Sequence, residues 1–341
     1  MANIALDIGS KHIKIAWRAS KKDIQTAQVP MPEGVINEGR ILDPDTFIDI
    51  LKSLRQEYKI SARDAVLVLN DELALVLHTN MPAENPEELQ LALPAEFSDF
   101  ITQNPESYVY DYVIEEEIKN KQGKAESFEI FASAARINII ESYMDVLNKA
   151  GFKLRYVFPE ADVYASLLRE NNDEDTIVIP RAGEDTQKHV LIVDLGYKNS
   201  LAILYKNGYY QASKTIDLGV YDLDLAIADA CGSTFELIEM YKYNNYENIL
   251  DHPDCVSVYN RIIMEFEKVI NFYKFSTGFN VDCIYLTGGG ANITRLVSAI
   301  GDAFPQPVHT LNYALPHDVA LAHNEATTLL AIASLLESEG E

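Results

Sequence analysis

Apolar positions along this chain switch between short continuous runs and helical spacing, and the switches divide it into blocks. Residues 4 to 29 read as a hairpin of strands with a polar turn at Ser20-Lys21-Lys22-Asp23. An irregular stretch from Pro30 to Asp43 leads into a helix predicted over Pro44 to Glu57, with Asp43 as its N-cap. The unbroken run Ala65 to Leu69 predicts a strand buried on both faces of a mixed or parallel sheet. Further on, Asn85 caps a helix that has Pro86 at its first position. Tyr108 to Ile118 and Ser127 to Ala134 read as two strands joined by the polar turn Lys119 to Glu126, and Ile137 to Ala150 as an amphipathic helix stopped by Gly151.

Leu154 to Phe158 predicts a short strand, and a helix starts near Glu160. The polar, mixed-charge stretch Asn171 to Lys188 holds Pro180 and Gly183 and reads as a linker. After a second hairpin come helices near 221–230, 234–243 and 255–275, one from about 292 to 303, and a terminal one near 324–337. The expected division is a first half-domain at 1–80, continued by 154–188 and by the terminal helix 324–337. An α+β lobe is inserted at 81–153, and a second half-domain follows at 189–323 with a helical part at 221–275.

Three of the apolar runs end in glycine: Ile4 to Gly9, Leu191 to Gly196 and Ile284 to Gly290. The first two place an aspartate at the end of the run, as Asp7-Ile8-Gly9 and again, 187 residues later, as Asp194-Leu195-Gly196. A buried strand followed by Asp-x-Gly makes a tight turn whose backbone N–H groups can face an anion, since glycine has no Cβ in the way. The aspartate then lies where it can hold a Mg²⁺, usually through water. Two such turns, each leading into another apolar run, and a late triple glycine point to two related half-domains with one nucleotide between them.

Charge changes the picture of partners. There are 28 Lys+Arg against 52 Asp+Glu, a net charge of −24, so nucleic acid and anionic bilayers are repelled and a basic peptide is attracted. The three cysteines, Cys231, Cys255 and Cys283, form no CxxC pair, and the seven histidines show no metal-ligand spacing. No stretch approaches the ~18 apolar residues of a membrane helix, and Met1 leads straight into a strand, so a cytoplasmic protein is expected.

In this order the segments resemble the actin-like ATPase superfamily of actin, heat-shock chaperones and sugar kinases. Within it the chain resembles the PilM family of type IV pilus assembly, over nearly its whole length. The likeness is carried by Pro159-Glu160-Ala161-Asp162-Val163-Tyr164-Ala165, Ile270-Asn271-Phe272-Tyr273-Lys274-Phe275-Ser276 and Leu286-Thr287-Gly288-Gly289-Gly290-Ala291. The lobe's placement resembles the subdomain shared with FtsA. The resemblance implies an α/β, actin-like ATPase fold: two related RNase H-like half-domains around a nucleotide cleft, with a small inserted α+β subdomain.

It also implies roles. Asp7, Gly9, Ser10 and Lys11 match the first phosphate loop of an ATP site. Asp194 and Gly196 match the second, with Asp7 and Asp194 sharing a hydrated Mg²⁺. Gly288, Gly289 and Gly290 match the adenosine turn, and Glu239 and Lys242, three apart on a helix, match the pair that contacts ribose and base. Glu160 stands where relatives carry a water-orienting side chain. Tyr197, Lys198 and Asn199 replace the small residues usual after the second loop's glycine, where Tyr197 and Lys198 would narrow the site or add positive charge. Gly219-Val220 replaces a pair of small residues. These departures imply slow or absent hydrolysis. The implied partner is a PilN-like inner-membrane protein, bound through its short cytoplasmic N-terminal tail in a groove beside the lobe, and pilus motor ATPases and self-association are further expectations. Leu89, Leu93, Phe97 and Phe100, at i, i+4, i+8 and i+11, form a stripe that could line that groove or pack on the lobe's own strands. The alternatives are a small-molecule kinase and an FtsA-like filament. The acidic ending Leu335-Leu336-Glu337-Ser338-Glu339-Gly340-Glu341 opposes tethering to an anionic membrane.

Overall fold

The fold is taken from a computed structural model, which describes residues 3–20, 23–83, 85–169, 188–232, 235–311 and 327–340. The chain begins with β1 (Ile4–Ile8), β2 (His12–Ser20) and β3 (Asp23–Pro30), so the expected hairpin is a three-stranded meander. Lys21 and Lys22 of its turn lie outside the described residues. A small ribbon follows, β4 (Ile36–Asn37) with β5 (Arg40–Ile41), then α1 (Pro44–Glu57) and β6 (Asp64–Leu69). Asp43 caps α1 as expected, its carboxylate accepting from Thr46 N–H at 3.1 Å. The lobe's sheet comprises β7 (Ala74–Pro82), β8 (Tyr108–Lys119) and β9 (Ala125–Arg136), with α2 (Pro86–Glu96) between β7 and β8. The chain leaves it through α3 (Ile137–Lys149), β10 (Lys153–Pro159) and α4 (Glu160–Arg169).

The second half repeats the plan with β11 (His189–Leu195), β12 (Ser200–Lys206) and β13 (Tyr209–Ile216), then α5 (Val220–Cys231), α6 (Phe235–Asn244) and α7 (Pro253–Thr277). It finishes with β14 (Cys283–Thr287), α8 (Thr294–Ala303), β15 (Val308–Thr310) and α9 (Leu329–Gly340). Residues 289–292 form a 3-10 turn, which is why α8 starts later than expected. The predicted linker falls almost wholly outside the described residues, as does the start of the predicted terminal helix.

The two main sheets have the same topology. One runs β3-β2-β1-β6-β10 and the other β13-β12-β11-β14-β15. In each, the first strand pairs antiparallel with the second and parallel with the fourth. β1 and β11 are therefore interior strands covered on both faces, which explains their unbroken apolar runs.

Between the sheets lie α4 and α9, packed on each other, with Ala161, Tyr164, Leu330 and Leu335 all buried. α9 packs on β1, β2 and β6 of the first sheet, and α4 reaches β13 of the second. Arg18 of β2 pairs with Glu339 of α9 at 2.7 Å. The terminal helix is thus a core element rather than a surface for lipid. Among the described residues no helix is long and apolar enough to cross a membrane.

β9 is the lobe's central strand, between β7 and β8. One face is covered by α2, where Leu89, Leu93 and Phe97 are buried against Phe128, Ile130 and Ala132. On β9, Phe131 packs edge-on to Tyr210 of the second half, with ring centroids 5.8 Å apart. α3 carries Tyr143, Val146 and Leu147 into the core it shares with Phe47 and Leu51 of α1. Because Phe131 is 2% exposed and joins lobe to second half, Phe131→Ala should destabilise the protein by about 3–5 kcal/mol. A lowered urea midpoint checks this, and an unchanged midpoint would contradict it.

Candidate functional site

The two Asp-x-Gly turns end the central strands of the two sheets, and the fold turns those ends toward each other. In the first half the tight turn after β1 is closed by Gly9 N–H donating to the His12 carbonyl at 3.0 Å. That N–H is therefore engaged within the turn rather than offered to a phosphate. The same register sets Asp7 directly across from Lys14 on β2, and the ammonium meets the carboxylate at 2.8 Å. Burial opposes the lysine's charge, but the carboxylates of Asp7 and Asp194 outweigh it and hold its pKa above the usual value.

Asp194 accepts the hydroxyl of Tyr164 at 2.7 Å. Burial pushes the Asp194 carboxyl up, against the pull of Lys14 and of that hydroxyl. Tyr164 is one helical turn beyond Glu160 on α4, so both face the same floor. Glu160 accepts the backbone N–H of Asp71 at 2.8 Å. Its carboxyl is raised well above the ordinary range by burial, then by Asp71 and Asp194. Asp7, Asp194 and Glu160, widely separated in sequence, are thus brought together as expected. Lys14, Tyr164 and Asp71 are the members that sequence reasoning missed. The first two had a signal: Lys14 follows from the hairpin register, and Tyr164 from its i+4 spacing to Glu160.

The glycines explain how closely the second loop is built. Gly219 precedes α5, and a Cβ there would overlap the Tyr197 carbonyl. The α5 N–H groups of Val220 and Tyr221 donate to the Gly196 and Tyr197 carbonyls at 3.0 and 2.8 Å. Gly288 has φ +79°, and a Cβ on it would overlap Asp194 Oδ1. A Cβ on Gly290 would press on Leu195, whereas one on Gly289 would meet nothing within 4 Å. The triple-glycine turn therefore lies directly against the second Asp-x-Gly turn.

Across the mouth, Lys11 forms an ion pair with Glu239 of α6 and lies 3.6 Å from Asp224 of α5. Its ammonium also sits 4.4 Å above the Tyr197 ring. Glu239 and Lys242, expected together at the ribose and base, have separate partners. Lys242, 1% exposed, is held by Asp224 at 2.6 Å, so it fastens α6 to α5 instead of presenting its charge to a ligand. Glu239 keeps a side chain 46% exposed. Lys198 is exposed and lies 3.8 Å over the Tyr221 ring, directed at α5 rather than into the cleft. Asn199 reaches the first half, its amide donating to Glu72 at 2.6 Å. Ser10 is half-buried at the tip of the first turn.

An ATP with its Mg²⁺ fits this donor set. The cleft supplies carboxylate oxygens, Lys14 and Lys11, and a glycine turn open at Gly289.

The expected partner stripe divides. Leu89, Leu93 and Phe97 are 0%, 0% and 1% exposed, so they belong to the lobe's core and offer nothing to a partner. Phe100 is 62% exposed. It borders a cavity of about 150 Å³ between lobe and first half, lined also by Arg40, Glu72, Leu75, Tyr108 and Arg136. The groove thus carries two arginines and one glutamate, and the chain's acidity is not concentrated there. Arg136 donates to the Tyr108 hydroxyl at 3.1 Å.

His12, beside Lys11, has its pKa lowered to about 4 by burial, then by Lys11, with Glu239 opposing and Lys14 adding to the shift. A depressed histidine destabilises the folded state as pH falls, because the unfolded chain takes up a proton near pH 6.5 that the folded chain refuses until about pH 4. Stability should decline across that window. His12→Gln should flatten the decline, measured as melting temperature against pH; a parallel curve for the variant would contradict the assignment.

The family described as "Type IV pilus assembly protein PilM" matches residues 5–330. A search of curated proteins found no match. Among solved structures, a PilM–PilN type IV pilus biogenesis complex aligns at TM-score 0.78 and 19% identity, over 99% of this chain and 98% of that one. The ethanolamine utilization protein EutJ from Carboxydothermus hydrogenoformans aligns at 0.58 and 13%, over 98% and 88%. MreB 5 of Spiroplasma citri, bound to AMPPNP, aligns at 0.52 and 12%, over 99% and 95%. These likenesses show the actin-like fold, and by the family match the chain belongs to the PilM family of type IV pilus assembly proteins.

Proposed function

We propose that this protein is a nucleotide-binding adaptor of type IV pilus assembly. It holds ATP and Mg²⁺ between its two halves and takes the short cytoplasmic N-terminal tail of a PilN-like inner-membrane protein beside its lobe. The reading is carried by the doubled strand end, with Asp7 and Asp194 flanking the region of Lys14 in a chain of the PilM family. Asp7 and Asp194 would hold the hydration shell of the ion, which neutralises phosphate charge when bound. Lys14 and Lys11 would meet phosphate oxygens, and Gly288 to Gly290 would carry the adenosine.

Glu160 sits on the cleft floor where a water could be oriented, its carboxyl accepting the Asp71 N–H. The departures at Tyr197 and Lys198 favour slow hydrolysis, which suits an adaptor. The partner reading is supported by the kinship with a chain solved together with PilN and by the position of the exposed Phe100 beside a cavity between lobe and first half. The protein would then be cytoplasmic and peripheral to the inner membrane through that partner.

Calorimetry with Mg-ATP tests the cleft, and Asp194→Ala should weaken binding at least about tenfold, the value of one charge-assisted interaction. Pull-down from solubilised native membranes tests the groove: Phe100→Asp should lose a small single-span protein that the wild type recovers. Recovery of no membrane partner by the wild type would sink the adaptor reading.

A further inference from the structure

The C-terminal turns of α7 bury one face and leave the opposite one apolar and uncovered. Phe266, Val269, Ile270 and Tyr273 are buried in the core of the second half, whereas Met264, Phe272 and Phe275 are 52%, 67% and 91% exposed. The segment Ile270 to Ser276 thus divides, part of it core and part of it surface. Clustered apolar side chains left outside mark a contact surface more often than scattered ones do.

The exposed face has a seam. Met264, Lys268, Asn271 and Phe275 follow one another at steps of four, three and four, the spacing at which one helix packs along another. Beside the seam, Glu267 and Lys274 share one flank, seven residues apart. Both are exposed, and among the described residues neither has an ion pair. Glu265, on the other flank, is taken up within the chain by Lys268 and Lys214.

The charge order along the first flank is its own complement when reversed. A second copy of the helix, running antiparallel, brings Glu267 of each chain against Lys274 of the other. The same register faces Met264 with Phe275 at both ends and sets Lys268 against Asn271 in the middle. Each contact then occurs twice about a two-fold axis, as a closed pair requires. We propose that the exposed stripe of α7 is the surface by which two copies of this chain pair, antiparallel, in the register set by Glu267 and Lys274. Two apolar layers around a polar centre make a small interface, so the dimer is weak and reversible. No residue assigned above to the cleft or the groove belongs to the stripe.

Sedimentation equilibrium of the full chain tests it, at a salt concentration that screens the net charge of −24 on each copy. With rising concentration the wild type should pass reversibly from monomer to dimer. Phe275→Asp, at a side chain that the fold leaves outside, should raise the dimer dissociation constant at least about tenfold without lowering the melting temperature. Glu267→Lys and Lys274→Glu should each raise it about threefold, since each sets like charges face to face twice. The two exchanges combined should return it to the wild-type value. In a Cys231→Ser background, Met264→Cys and Phe275→Cys chains should form a disulfide dimer when mixed and far less when kept separate. A wild type that stays monomeric at millimolar concentration would overturn the inference. So would a dimer that Phe275→Asp leaves intact, or one that cross-links as readily in the separate chains as in the mixture.

Discussion

Asp7 and Asp194 stand at the C-terminal ends of the two central strands, where the halves face each other and water is largely excluded. Like charges so placed are costly unless a counter-charge is fixed among them. Lys14 supplies it, paired with Asp7 at 2.8 Å and close enough to Asp194 and Glu160 for their charges to act on it. Tyr164 supplies a hydroxyl to Asp194. The matched topology of the sheets, the position of α4 and the steric demand for glycine at 288 all serve this one arrangement. A buried acidic floor with a resident lysine is a poor stabiliser of a fold in itself.

The contacts around that floor divide into two kinds. Apolar packing of α4 on α9 makes the hinge side of the molecule a single core. The mouth is closed instead by polar and ionic contacts, Lys11 with Glu239 and Asn199 with Glu72, which are half-exposed and individually weak. The halves are thus joined by apolar packing on one side and by polar contacts at the mouth. The lobe is tied to the second half by Phe131 on Tyr210 and by His78 stacked near Tyr209 at 6.3 Å.

Much of this was legible in the sequence. The apolar runs ending in Asp-x-Gly identify the central strands, and Asp43, Asn85 and Pro86 mark helix starts that the fold keeps. The strand preceding α2 is not legible, because β7 alternates only partly and most of its residues are half-buried. Long-range ion pairing was not legible. The Glu239 and Lys242 spacing suggested one shared face, yet each pairs elsewhere, because tertiary partners on β2's turn and on α5 are nearer charges. The apolar stripe from Leu89 to Phe100 suits either a groove or a core. Only the position of β9 decides that three of its members are core and Phe100 alone is surface.

A crystal structure of the protein with Mg-AMPPNP would test the central claim most directly, that the paired strand ends form the floor of one nucleotide site. The account requires the ion's water shell on Asp7 and Asp194, phosphate oxygens at Lys14, and the purine against Gly288 to Gly290. Nucleotide bound elsewhere, or a cleft in which Lys14 stays paired with Asp7 and no density appears at saturating ligand, would contradict it.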